Sequence, residues 1–233
     1  MLMIVNFLGY GGVMADRKRT GRPPADEAPA SLTDIFSAAL RVFSEKGFDG
    51  TSVGALNREL GVSHNLVHRR FGSKEALWYA TVDWAFGQIA AEVGAYDEVT
   101  APDVSATIRS MVAQFLQVHA EHPQILRLVT VEGAAPSPRL TYLYEAHVAP
   151  LYARLTAPLK VLVDRGVLSE VDVRSLHFLI AHGGTAPFSL VPFARMIDPL
   201  DPLGHDAVRE HAEFVADVIV AGLAARGTEA VHS

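Results

Sequence analysis

The chain has 233 residues, a formal charge of −6 and no cysteine. That length can bury a substantial core in one domain or two small ones, and the lack of cysteine excludes disulfides and thiolate metal sites and fits a reducing cytosol. The charge is divided unevenly: residues 1–74 hold ten Lys and Arg against seven Asp and Glu, or +3, and residues 75–233 hold ten against nineteen, or −9. A polyanionic partner would therefore meet the N-terminal part.

Residues 1–13, MLMIVNFLGYGGV, are apolar but too short and too glycine-broken to span a bilayer. They lack the basic start and cleavage site of a secretory signal. A translation start at Met14 accounts for them best, with a loose N-terminal extension as the alternative. From Asp16 to Pro29 the run DRKRTGRPPADEAP is charged and proline-rich, so residues 1–29 are expected to be disordered. Arg17, Lys18, Arg19 and Arg22 make a cationic arm that either lies in a minor groove beside a docked helix or only solubilises the chain.

Ser31–Lys46 places Ile35, Ala39, Val42 and Phe43 on one face and ends at Gly47, which predicts an amphipathic helix. Ser52 is an N-cap candidate for a second helix carrying Val53, Leu56 and Leu60. Leu60-Gly61-Val62-Ser63 reads as a turn, with Ser63 placed to cap a third helix over His64–Arg70. Leu66 and Val67 can face inward there, which leaves His64, Asn65, His68, Arg69 and Arg70 on or near the outer face. A short helix with a free face of hydrogen-bonding and cationic groups suits a DNA major groove. Phe43, Phe48, Val53, Leu56 and Phe71 would form the small core beneath it. Gly72-Ser73 then starts a helix at Lys74-Glu75 that runs to Glu92 and links this domain to the body.

Three stretches, AALRVFSEKGFDGTSV (Ala38–Val53), LGVS (Leu60–Ser63) and FGSKEALW (Phe71–Trp78), together resemble the N-terminal domain of the TetR family of one-component transcriptional regulators. The resemblance implies an all-α protein. A three-helix helix-turn-helix DNA-binding domain over 30–77 would precede a larger helical ligand-binding and dimerisation domain over 78–233. It implies a homodimer on a near-palindromic double-stranded operator, a small-molecule effector, and a cytoplasmic repressor with neither cofactor nor membrane partner. Base edges are assigned to His64, Asn65 and Arg69 or Arg70, and phosphates to Thr51, Ser63, His68 and Lys74. His68 stands where the family usually has a phosphate-touching tyrosine, and Asn57 where a small apolar residue packs between the two helices. The alternative is a helical ligand-binding protein whose helix-turn-helix no longer reads DNA specifically.

The body shows helical periodicity without strand alternation, with helices expected at about 103–121, 123–132, 138–165, 170–195 and 205–226. Pro150 and Pro158 should kink or split the third, and Gly183-Gly184 with Pro187 the fourth. Phe115, His119, Leu126, Glu132, Leu143, Tyr144 and His147 are candidates for an effector pocket, against the alternative of ordinary core. A carboxylate among them would favour a cationic or hydrogen-bond-donating lipophile. Phe188, Phe214, Val218, Ile219 and Leu223 form apolar stripes, either plain core or, as the resemblance implies for the last two helices, a dimer interface. His119-x-x-His122 lacks the further ligands a zinc site needs, and no metal site is read. Neither a nucleophile elbow nor a phosphate-binding glycine loop occurs, so catalysis is not indicated.

Overall fold

The computed structural model describes residues 31–60, 66–93, 104–166 and 170–230, and every regular element among them is helical. The expected disordered extension with its basic arm, the turn glycine Gly61, and Ser63, His64 and Asn65 lie outside the described residues.

Helix α1, Leu32–Lys46, starts at a reciprocal cap. The Ser31 side chain accepts from the Asp34 amide and the Asp34 carboxylate accepts from the Ser31 amide, both at 3.1 Å. Gly47 ends it at φ +68°, a conformation that a side chain would strain. Helix α2, Val53–Glu59, begins at Ser52, whose hydroxyl accepts from the Ala55 amide. Helix α3, Leu66–Phe71, is followed by Gly72 at φ +77°. Ser73 then accepts from the Ala76 amide at 3.0 Å to start α4, Lys74–Val93. Ile35, Phe43, Leu56, Val67, Leu77 and Trp78 are fully buried among these four helices. Phe48, Val53 and Phe71 pack half-buried against them.

The body begins with α5, Val104–Glu121, and α6, Pro123–Glu132, whose proline occupies a first-turn position that needs no amide. Ile125 and Leu128 of α6 and Leu143 of α7, Pro138–Leu143, enter the same core as α1 and α4. The N-terminal domain and the body are therefore welded by shared apolar packing.

Proline and glycine divide the next two helices where expected. After α7 come a π-helical turn at Tyr144–Val148, α8 at Ala149–Thr156, a 3-10 turn at Ala157–Leu159 and α9 at Lys160–Asp164. Helix α10, Glu170–Phe178, passes into a second π-helical turn at Leu179–Gly184, then α11, Ala186–Ser189, and α12, Val191–Ile197. The last helix, α13, His205–Ala230, lies along α5.

The apolar stripes of the C-terminal segment sort into two faces. Phe188 and Ile219, candidates for an intermolecular surface, are instead buried within the chain. Phe188 meets the His211 ring edge-on at 5.6 Å, and His211 Nε2 donates to the Gly184 carbonyl at 2.7 Å, which closes α13 onto the second π-helical turn. Leu223 is half-buried beside Ile219 in the same core. Phe214 and Val218 point outward, 66% and 53% exposed.

Truncation of Leu128 to alanine should cost about 2–5 kcal/mol, because a void would open where α6 meets the N-terminal core. Urea unfolding followed by tryptophan emission, which reports α4 through Trp78 and Trp84, should move together with far-UV circular dichroism, which reports all helices. Separate midpoints would mean that the shared core does not couple the two parts.

Candidate DNA-reading head and effector cavity

The head is α2 and α3 held on α1 and α4. His68, Arg69 and Arg70 occupy the last turn of α3 and are exposed, together with Arg58 of α2. His68 Nδ1 lies 2.6 Å from the Gly72 carbonyl. A carbonyl only accepts, so Nδ1 carries the proton, the ring is fixed, and Nε2 is left for an outside partner. Asn57 is buried in α2, at the position expected to lie between the two helices.

Two residues assigned to phosphate by resemblance have inward partners. Thr51 is 3% exposed, and its hydroxyl donates to the Gly47 carbonyl at 2.7 Å. Lys74 Nζ donates to the carbonyls of Phe48 at 2.8 Å and Thr51 at 2.9 Å, and sits 4.0 Å from the centre of the Phe48 ring. Those bonds satisfy the loose carbonyls of the turn between α1 and α2, and the ring takes the remaining charge. Both side chains therefore build the turn that presents α2.

The same Phe48 ring receives a second cation, Arg139, with its guanidinium carbon 3.9 Å from the ring centre. Arg139 Nε stands 3.0 Å from Glu132 Oε1, and the Ser137 hydroxyl donates to that oxygen at 2.6 Å. Glu132, 6% exposed, is thus the anchor of the joint between head and body, and it lies outside the described lining of the cavity for which it was a candidate. His147 also leaves the expected set. Its Nε2 donates to Asp83 Oδ1 at 2.9 Å and its ring stacks on Phe86 at 4.9 Å, which ties the first π-helical turn to α4. Tyr142 donates to the same Asp83 oxygen at 2.6 Å; that hydrogen bond, helped by burial, pushes the phenol up to about 12.

Between α5, α6, α7, α8 and α10 lies a cavity of about 720 Å³. Phe115, His119, Leu126, Leu143 and Tyr144 line it, as the sequence anticipates. Tyr152, Arg174, Phe178, His177 and His182 line it as well. No motif or spacing in the sequence singles out Arg174, His177 or His182 as wall residues. An apolar recess of about 60 Å³ opens between α5, α10 and α13 and shares Phe115, Leu155, His177 and Ala181 with the main cavity.

His119 is buried against the Phe115 ring, 3.9 Å between centres, and its Nδ1 donates to the Phe115 carbonyl at 2.7 Å. Burial pulls its pKa down to about 4, so the imidazole is neutral and Nε2 is an acceptor. His177 is held below its ordinary value, first by burial and then by His182. His119 and His122, weighed as a metal pair, go to different partners: His122 Nε2 meets Glu92 Oε1 at 3.0 Å.

Comparison with known proteins agrees in both halves. Residues 35–80 match the family model for bacterial regulatory proteins of the tetR family, and residues 105–219 match the tetracyclin repressor-like C-terminal domain. The transcriptional regulator RutR of Escherichia coli K12 is 32% identical over 146 residues, 63% of this chain and 68% of RutR. A helix-turn-helix transcriptional repressor of Streptomyces coelicolor is 24% identical over 201 residues, 84% of this chain and 98% of its own. Among solved structures, the transcriptional regulator FadR of Bacillus subtilis, crystallised with stearoyl-CoA, is similar in fold. Its TM-score is 0.59 at 15% identity, over 82% of this chain and 99% of FadR.

Two measurements test this geometry. Lys74→Ala should lower the melting temperature and weaken DNA binding without changing its salt slope, whereas Arg69→Ala should reduce the slope by about 1. A lower slope for Lys74→Ala would return that ammonium to the phosphates. For His119, the folded chain stays unprotonated down to about pH 4 while the unfolded chain takes a proton near 6.5. The unfolded state thus binds more protons in that window, and stability falls as pH drops from 6.5 towards 4. His119→Phe should flatten that part of the acid limb in urea titrations.

Proposed function

The chain belongs to the tetR family of bacterial regulatory proteins and is a helix-turn-helix transcriptional regulator; from that premise we propose that it is a homodimeric, cytoplasmic repressor released from its operator by a small molecule. The observation that carries the reading is the continuity of three parts in one chain. A cationic α3 face belongs to the head that the Phe48 joint fastens to the body, and the joint closes one end of α6, whose other face lines a cavity of the size used for small ligands.

In this reading Arg69, Arg70 and His68, with His64, Asn65 and Ser63 ahead of them, meet bases and phosphates of a major groove. A two-fold partner places a second head about one helical turn away. The surface available for that partner is apolar and continuous in kind along α12 and α13: Phe193, Met196, Ile197, Phe214 and Val218 are all exposed. A soluble monomer rarely leaves so many large apolar groups in water. An effector in the cavity would favour one setting of α6 and α7 over another. Since Arg139 and Glu132 connect those helices to Phe48, the head spacing would follow.

The test is fluorescence anisotropy on DNA from just upstream of the gene, against a scrambled duplex, over a salt series. Tight, salt-steep, sequence-preferring binding supports the regulator. Equal weak binding to every duplex in a wide operator selection would overturn it in favour of a ligand-binding protein whose head no longer reads DNA. The double variant Phe214→Asp with Val218→Asp should sediment as a monomer and lose operator affinity by at least about a hundredfold, since one head cannot engage both half-sites.

A further inference from the structure

We propose that the cavity takes a lipophilic carboxylic acid, bound as its anion with the carboxylate at the α10 rim and the hydrocarbon part directed inward; this rests on reading the cavity as the effector site. Among the 21 described residues of the lining none is an aspartate or glutamate, so no described side chain of the wall attracts a cation. The carboxylate expected there, Glu132, is spent on Arg139 and Ser137 at the joint. A cationic lipophile would therefore lose its hydration with no compensating charge.

The polar groups that remain are placed unevenly. Arg174, the full cation among the described lining residues, and His182 are exposed on α10 and the π-helical turn that continues it. Phe178 stands between them in sequence, stacked on His182 with 5.5 Å between ring centres. Arg174 and His182 both line this exposed end of the cavity, and a guanidinium and an imidazole N–H are donors suited to a carboxylate at the mouth. Further in, the chemistry changes. His119 is neutral, its one N–H is taken by the Phe115 carbonyl, and Nε2 offers only a lone pair. An anion placed there would face an acceptor, so charge belongs at the rim and not at the deep end.

Most of the remaining wall is apolar, through Phe86, Leu126, Leu143, Leu151 and Leu155, with neutral polar groups at Thr130 and Tyr152. Beyond Phe115 and His177 it borders the recess under α13, whose wall is nearly all aliphatic. A hydrocarbon chain running inward from Arg174 meets these surfaces in order. Its end would press on Ile219 and Leu223, on the helix whose outer face carries Phe214 and Val218. Ligand and dimer surface would thus share one helix.

The test uses the purified full chain without DNA, so it stands apart from operator binding. Decanoate, decanol and decylammonium are titrated by calorimetry against the wild type and Arg174→Gln. Decanoate should bind about tenfold more tightly than decylammonium, and Arg174→Gln should weaken decanoate about fivefold while leaving decanol unchanged. Arg174 is exposed, so the variant should melt as the wild type does. Equal or tighter binding of decylammonium, or an Arg174→Gln variant that holds decanoate unchanged, would overturn the proposal. If decanoate binds as expected yet leaves an established operator complex intact, the ligand class stands and effector release fails.

Discussion

A carboxylate taken out of water must be compensated or it will not stay charged, and Glu132 is such a carboxylate. Its partners are Ser137, at the first turn of α7, and Arg139, one residue into that helix. Meeting that requirement folds the end of α6 back on the start of α7 and holds Arg139 over Phe48. Phe48 belongs to the turn between α1 and α2, which Lys74, at the start of α4, seals by capping two of its carbonyls. One aromatic ring is therefore where the charge of the body and the charge of the head converge. Gly47 permits the approach: its φ of +68° bends the chain there, and a Cβ would already touch the Val131 side chain at 3.4 Å.

This joint has the character that a switch between two arrangements needs. A buried pair broken by removing one member leaves an uncompensated charge, so Glu132 and Arg139 move together or not at all. The apolar weld through Ile125 and Leu128 resists separation of the domains without specifying their angle, because dispersion and burial are non-directional. The polar set does specify it. Under the proposed function, a ligand that shifted α6 from its other face would displace the turn before α2, and intermediate positions would leave the charges mispaired.

Much of this fold was legible in the sequence because helix signals are local. Ser31, Ser52 and Ser73 cap where they should, the apolar period finds the buried faces of α1 and α4, and Pro150, Pro158 and Gly183-Gly184 mark real interruptions. The partners of polar side chains were not legible. Spacing says that Thr51, Lys74, Glu132 and His147 lie near a functional surface, yet their hydrogen bonds and ion pairs run to Gly47, Phe48, Arg139 and Asp83. For Lys74, Glu132 and His147, those acceptors and donors lie on other elements. The apolar stripes failed in a related way. Phe188 and Ile219 share a pattern with Phe214 and Val218, and only the packing of α13 on α5 decides which face is inside.

The interruptions have a consequence for the cavity that periodicity could not reveal. Proline at 150 has no amide to give the carbonyl four residues back, at Ala146, and the chain widens to a π-helical turn over Tyr144–Val148. Gly183 and Gly184 allow the same widening over Leu179–Gly184, where Gly184 already stands so close to Leu116 that a Cβ would lie 3.1 Å from it. An added residue in a turn rotates everything after it relative to what precedes it. Tyr144 is thereby brought to the cavity wall while His147, one turn on, reaches Asp83 of α4. On the other side, Ala181 and His182 reach the wall from within the second π-helical turn. Two straight helices would present a single stripe each and close against α5 and α6 as ordinary core. The residues that break helical regularity are therefore the ones that keep a space open between them.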